Sequence, residues 1–332
     1  MDSILPPNSA RWKTCRDIFL RSMIPRHLKR NFRQLNPDAL RSLFESLINY
    51  GLLSSDKNAS NDHIAKICTS DLMLGRLEYC RLSTIPLLDY AVRLEGQRIL
   101  EIGCGTGCSS VAMGEQGAHV TGIDIREDCL AMAKERCEIY GLDAAFQQAN
   151  ANEAHHVFSG QEFDIILFYA TLEHMTIDER LTVLANTWDM LKPGGFLCVA
   201  ETPNRLWMVD SHTSSLPFFH WLPDELALKY AKYSPEKGLR EISQMDTPDT
   251  LLNFLRRGRG VSFHEFHLAI GPIEKLQVVI SLQELTQQRS LLYRFARKTT
   301  LQYRFARLLR KVGPDIHPGF YERGLYLVIR KQ

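Results

Sequence analysis

From about residue 98 the apolar positions of the chain fall into two alternating rhythms. Short, unbroken apolar runs read as strands buried on both faces, and longer stretches with apolar residues three or four apart read as helices. Arg98–Ile102 is the first such run, followed by a helical segment at 107–117 and a strand at 118–124. A helix over 126–140, a strand at 144–149 and a buried strand at 163–168 come next. An amphipathic helix at 178–191 ends at Lys192-Pro193-Gly194-Gly195, which turns the chain into a strand over Phe196–Glu201. Strands and helices repeated in this order predict an α/β fold with a mostly parallel sheet covered on both faces.

The ends break the rhythm. Residues 1–95 read as a helical N-terminal cap, interrupted at Pro25, Pro37 and Pro86. Within it Leu40–Leu53 carries apolar residues on one face and is closed by Gly51. The second region, 96–332, holds the sheet and two insertions, at about 203–260 and 271–315. The first insertion is rich in aromatics, among them Trp207, Phe218, Phe219, Trp221, Tyr230 and Tyr233. Beyond it the pattern suggests a strand at 261–270, a long helical stretch over about 273–312, and a last strand at Gly324–Arg330. A near-repeat, Tyr293–Arg297 and Tyr303–Arg307, has a ten-residue spacing close to three helical turns.

A composition of 45% hydrophobic and 23% charged residues is that of an ordinary soluble protein. No apolar run reaches the roughly 18 residues of a membrane span, and charges scattered through the first thirty positions do not resemble a secretory signal, which points to the cytoplasm. Eight cysteines without a Cys-x-x-Cys pair argue for core thiols rather than disulfides or zinc. The net charge of +2 hides two basic segments: 11–33 and 284–311 each carry eight Lys/Arg against one acid. They can balance an acidic body or attract an anionic partner, and 284–311 leaves peripheral membrane contact open.

The chemistry-bearing segment is Glu101-Ile102-Gly103-Cys104-Gly105-Thr106-Gly107, between a strand and a helix. Glycines there admit unusual backbone angles and let a ligand approach the main chain. The dinucleotide fingerprint wants its third glycine at 108, where this chain has cysteine, so a nicotinamide-dependent oxidoreductase fits poorly.

The loop resembles the first motif of the class I S-adenosylmethionine-dependent methyltransferases, an acid followed by Gly-x-Gly-x-Gly. The resemblance spans roughly 96–202, through Gly122-Ile123-Asp124-Ile125, Ala149-Asn150-Ala151, Leu172-Glu173-His174 and Leu191-Lys192-Pro193-Gly194-Gly195. It implies a Rossmann-like seven-stranded sheet, with 261–270 as strand six and a reversed strand seven within 321–330. It implies S-adenosyl-L-methionine as cofactor, held by Glu101, Gly103, Cys104, Gly105, Gly107, Asp124 on the ribose, Ile125, Asn150 and Ala151 about the adenine, and Tyr169. No metal is assigned.

Methyl transfer needs an aligned acceptor, exclusion of water and sometimes a base. His174 is the first candidate base, and Asp210, His212 and His220 in the aromatic insertion are the others, able to orient an acceptor or simply to lie in a packed lid. The acceptor expected is a small-molecule or lipid-like metabolite, with oxygen favoured. Phe168-Tyr169-Ala170-Thr171 stands where enzymes acting on nucleic acid bases carry Asn/Asp-Pro-Pro-aromatic, which argues against a nucleic-acid substrate. A cofactor-binding scaffold without turnover is the remaining alternative. The N-terminal helices can close over their own site or pair with a second copy.

Overall fold

A computed structural model describes residues 24–54, 60, 63–64, 70–289 and 301–332. Its centre is a seven-stranded sheet in the order β3-β2-β1-β4-β5-β7-β6. The strands are β1 (Arg98–Ile102), β2 (His119–Asp124), β3 (Ala144–Gln148), β4 (Phe163–Tyr169), β5 (Leu191–Pro203), β6 (Gln277–Ser281) and β7 (Gly324–Arg330). The first five run parallel, and β7 is antiparallel to both β5 and β6. In β4 every residue but Asp164 is buried, as an unbroken apolar run between two helical layers requires. The strand order reverses between β1 and β4, and the carboxyl ends of strands at such a switch point open a crevice for ligands.

The N-terminal region includes, among the described residues, the helices α1 (Arg26–Asn31), α2 (Pro37–Asn49) and α3 (Arg76–Ala91). The Asn36 side chain caps α2 with Pro37 at its first turn, and the helix gives way at Gly51, whose φ is +68°. Pro86 does not break α3, contrary to the sequence expectation. Residues 80–88 are buried without interruption, and that burial outweighs the one backbone hydrogen bond a proline removes. Leu77, Ile85 and Leu88 share one core with Ile99, Ile165 and Leu167, so α3 belongs to the layer covering the sheet.

Between the strands lie α4 (Cys108–Gly114), α5 (Glu127–Ile139), the short α6 (Ala154–Val157) and α7 (Ile177–Asp189). Thr176 and Glu179 form a capping box that starts α7. Within β5 Leu191 pairs with Phe163, the register shifts across Lys192–Gly195, and regular pairing resumes at Phe196 opposite Ile165. The insertion after β5 folds as α8 (Asp224–Tyr230), α9 (Lys237–Ile242) and α10 (Thr250–Leu255) around Phe219, Ala227, Leu239 and Phe254.

Two expectations fail beyond the insertion. Residues 263–270 form a helix, α11 (Phe263–Ile270), not strand six, because Ser262 and Glu265 make a capping box. Strand six lies at 277–281 inside the stretch expected to be helical, where Val278, Val279 and Ile280 suit a pleated edge strand. Helices α12 (Leu282–Arg289) and α13 (Leu301–Val312) follow. The first copy of the near-repeat, 293–297, lies outside the described residues, as do Cys15, Cys68 and most of the basic segment 11–33. Six other cysteines are buried free thiols. Among the described residues no helix is long and apolar enough to cross a membrane.

Candidate cofactor and acceptor site

Three left-handed glycines shape the loop leaving β1: Gly103 at φ +72°, Gly105 at +50° and Gly107 at +76°. A Cβ on Gly103 would stand 2.6 Å from the Thr171 side chain, and one on Gly107 2.9 Å from the Ala133 backbone. The loop is held from behind by Arg136, fully buried on α5, which donates to the carbonyls of Thr106 and Met73 at 2.7 Å. Glu101 has no solvent exposure, and its two oxygens accept from the hydroxyls of Ser109 and Ser110 on α4. Burial raises its carboxyl to about 7, against the pull of the two serines, with Asp124 adding to the rise. Glu101 thus ties the end of β1 to α4 in the protein interior.

Asp124, at the end of β2, accepts from Gly105 N–H through Oδ2 and from Arg126 N–H through Oδ1, both at 2.9 Å. A carboxylate has about four acceptor positions, so room remains for two further donors such as the hydroxyls of a ribose. Ile125 beside it is 66% exposed, an apolar surface next to a polar anchor. Asn150 uses its carbonyl oxygen on Asn152 N–H at 3.1 Å. Ala151 opens the next short turn, and Cys104 lies buried against Gly122. A glycine cradle, a partly free carboxylate and an apolar shelf fit a nucleoside cofactor.

At the ends of β4 and β5 two non-glycine residues, Ala170 and Glu201, take left-handed angles of +51° and +54°. Such strain collects where surrounding structure holds a functional geometry. Tyr169 is buried here, and burial followed by the charge of Glu201 pushes its hydroxyl well above the usual tyrosine range.

The four candidate catalytic residues separate into two pairs. His174 and His212 both face Glu173: His212 Nε2 is 3.5 Å and His174 Nε2 3.9 Å from Glu173 Oε1. His174 Nδ1 lies 2.9 Å from the Arg256 carbonyl, which can only accept, so Nδ1 carries the proton and Nε2 of the neutral ring is free to take one. Burial lowers the His174 pKa, partly opposed by that hydrogen bond, and burial likewise lowers His212 against the pull of Glu173. Glu173 has no exposure, and burial raises it to about 7 despite His212.

Asp210 and His220 pair with each other in the interior at 3.2 Å. Asp210 also accepts the backbone N–H groups of His212, Thr213 and Ser214, and His220 Nδ1 accepts Gly260 N–H at 3.1 Å. Burial alone would raise Asp210, yet His220 and these donors hold it well below the usual carboxylate range. This pair fixes the loop that presents His212.

Sequence reasoning quoted Glu173 in a motif but gave it no role, and it missed three arginines. Arg180, 1% exposed, donates to the carbonyls of Leu172, Glu173, Arg259 and Gly260 and pairs with Glu265 at 3.1 Å. Arg256 forks onto Glu179 at 2.5 and 2.6 Å and reaches the His174 carbonyl. Arg259 lies 5.0 Å over the Phe219 ring and donates to Asp224. Together they fasten the insertion to the turn after β4. The signal for Arg180 was its position on the apolar stripe of α7, three and four residues from Val183 and Leu184.

Residues 99–195 match the family described as "Methyltransferase domain". The chain is 31% identical over 163 residues to a ubiquinone biosynthesis O-methyltransferase of Ruegeria pomeroyi, covering 49% of this chain and 59% of that protein. It is 37% identical over 108 residues to the protein of the same name from Pseudomonas entomophila, covering 32% and 45%. The chain therefore spans about half the length of the curated relatives it matches. A solved S-adenosylmethionine-dependent methyltransferase from Methanosarcina mazei is 29% identical, with a TM-score of 0.34 over 37% of this chain and 59% of that one. On the family match, the seven-stranded sheet and the glycine loop at its switch point, residues 99–195 form a methyltransferase domain.

Proposed function

We propose that this chain is an S-adenosylmethionine-dependent methyltransferase that methylates a hydroxyl of a small, lipid-like acceptor. The observation that carries the reading is the Glu173, His174 and His212 cluster, placed where β4 ends beside the glycine loop. Gly103, Cys104, Gly105 and Gly107 would cradle the cofactor with main-chain groups. Asp124 would take the ribose hydroxyls, Ile125, Asn150 and Ala151 the adenine, and Tyr169 would wall the methionine end. When bound, the cofactor supplies an electrophilic methyl group on a sulfonium.

His174 is the proposed base. Its Nδ1–H is fixed on the Arg256 carbonyl, so Nε2 receives the proton of the acceptor hydroxyl. Such help is typically worth about 10²–10⁴-fold in rate. Glu173 lies within reach of both rings and stabilises the imidazolium that forms. Asp210 and His220 act as positioning residues through the His212 loop. The choice of oxygen as the methylated atom follows the names of the curated relatives and the absence of a base-methylating motif.

The test is calorimetry with S-adenosylhomocysteine, with NADH as control, followed by transfer of labelled methyl groups to hydroxylated lipid-like acceptors. Micromolar binding of S-adenosylhomocysteine alone, with labelled ether product, is the expected result. Binding of NADH instead, or product carrying methyl on nitrogen or carbon, would overturn the reading, and cofactor binding without turnover on any acceptor would favour a scaffold.

A further inference from the structure

Helix α13 is strongly two-sided. Ala306 is buried and Arg310 turns inward to Glu322 at 3.3 Å, which fixes the face that meets the protein. At 3.6 residues per turn, Phe305, Leu308 and Val312 lie along a different side. Leu308 is 55% and Val312 77% exposed. Beside that apolar stripe run Arg304, Arg307 and Lys311, all exposed and without an ion-pair partner among the described residues. No acid interrupts the helix.

The stripe continues onto the insertion. Phe305 meets Trp207 and Trp221 at ring distances of 5.8 and 6.4 Å, and Trp221 meets Phe218 at 5.0 Å. Phe218 and Trp221 are nearly half exposed. Phe218 also sits in the left-handed region at φ +57°, an uncommon conformation for a bulky residue. A groove of about 500 Å³, lined in part by Trp221, Leu206 and Leu268, opens alongside. An exposed apolar strip bordered by unpaired cations is the arrangement of a helix lying in a lipid interface.

We infer that α13 and the Phe218–Trp221 turn form a docking surface for an anionic phospholipid membrane. Phe305, Leu308 and Val312 enter the headgroup boundary together with Phe218 and Trp221, while Arg304, Arg307 and Lys311 meet lipid phosphates. The charge complementarity selects a lipid surface over a second copy of this chain, whose α13 would bring the same cations against these. The surface adjoins Trp207, three residues before Asp210 in the loop that carries His212, so a membrane-held acceptor would be presented near the proposed site.

The experiment is co-sedimentation of the full chain with vesicles of phosphatidylcholine, with and without phosphatidylglycerol, at low and high salt. The wild type is expected to pellet with the anionic vesicles and to be released by salt. Leu308→Asp/Val312→Asp and Arg304→Glu/Arg307→Glu/Lys311→Glu should each weaken partitioning about tenfold or more. Thermal melts check that both variants fold; should one not, Val312→Asp alone or Arg307→Glu alone serves in its place. Failure of the wild type to bind anionic vesicles, or equal binding by the variants, overturns the proposal. A wild-type dimer that Leu308→Asp/Val312→Asp dissociates, with no vesicle binding, also overturns it and assigns the face to a second copy. Titrating the same variants with S-adenosylhomocysteine reads the cofactor site separately, so the two proposals fail or stand independently.

Discussion

The Glu173 carboxylate lies 3.5 Å from His212 Nε2 with no solvent exposure. One oxygen is 3.5 Å from the Thr202 hydroxyl, while the other has no hydrogen-bond donor among the described residues and faces the histidines. Placing a carboxyl there costs free energy, and the cost is tied to its protonation.

Burial raises Glu173 from the ordinary 4.5 to about 7 in the folded chain. Below the lower value the group is protonated folded or unfolded and contributes no pH dependence. Between the two values only the folded state keeps the proton, so stability falls as pH rises, and above about 7 the full penalty of up to about 3 kcal/mol is in place. Glu173→Gln is therefore expected to be more stable than wild type at about pH 8, with the difference vanishing near pH 4. Denaturant titrations at several pH values check this. Glu101, raised to about 7 by the same cause, keeps part of the slope in the variant.

Activity should move the other way. His174→Ala is expected to lower turnover about 10²–10⁴-fold while S-adenosylhomocysteine affinity stays within a factor of two or so. In the wild type the rate should fall as pH drops through the His174 pKa, which burial holds below its ordinary 6.5. A single-turnover rate left unchanged by the substitution removes His174 as base.

The domain and its loop were legible because short-range patterns govern them. The β1 run, the glycine spacing and Asp124 lie within 27 residues, and each strand from β1 to β5 announces itself locally. The errors fell where one local pattern was overridden by tertiary packing or by a second local signal. Pro86 reads as a break, but its helix is buried on the sheet. Residues 261–270 are apolar enough for a strand, yet Ser262 and Glu265 cap a helix. Glu173 and Arg180 were hard to assign because their partners, His212, Arg259 and Glu265, lie 39 to 85 positions away.

Two glycines in one loop offer a controlled comparison. Both Gly103 and Gly105 sit at positive φ, but only Gly103 would drive a Cβ into Thr171, whereas none of the described residues lies within 4 Å of the position on Gly105. Gly105→Ala is expected to cost about 1–2 kcal/mol from backbone strain alone. Gly103→Ala adds a steric clash and should lose more stability, together with most cofactor affinity. Equal melting temperatures for the two variants would contradict the packing described for Thr171.

Asp124 ties the glycine loop to the end of β2 beside the proposed ribose site. Its oxygens already hold Gly105 and Arg126 N–H groups, so Asp124→Ala removes both the loop ties and the proposed ribose acceptors. S-adenosylhomocysteine binding should weaken by roughly 1–3 kcal/mol, with Asp124→Asn intermediate because an amide keeps one acceptor. Wild-type affinity in the alanine variant, measured by calorimetry, excludes Asp124 from the ribose.

Arg180 sits at the joint between sheet and insertion. Arg180 binds four carbonyls and one carboxylate from positions on both sides of that joint, almost wholly out of water. Arg180→Met keeps much of the volume but leaves Glu265 as a buried charge without its partner, and breaking such a pair typically costs about 3–5 kcal/mol. The loss should fall on the fixing of Glu173 and Arg259 rather than on the glycine loop, which Arg136 supports separately. Two readouts then part company: the variant's melting temperature and turnover drop, while the affinity of the folded protein for S-adenosylhomocysteine stays near wild type. Pairing it with Glu265→Gln tests the cause, because the double variant removes the orphaned charge and should recover part of the stability lost by Arg180→Met alone.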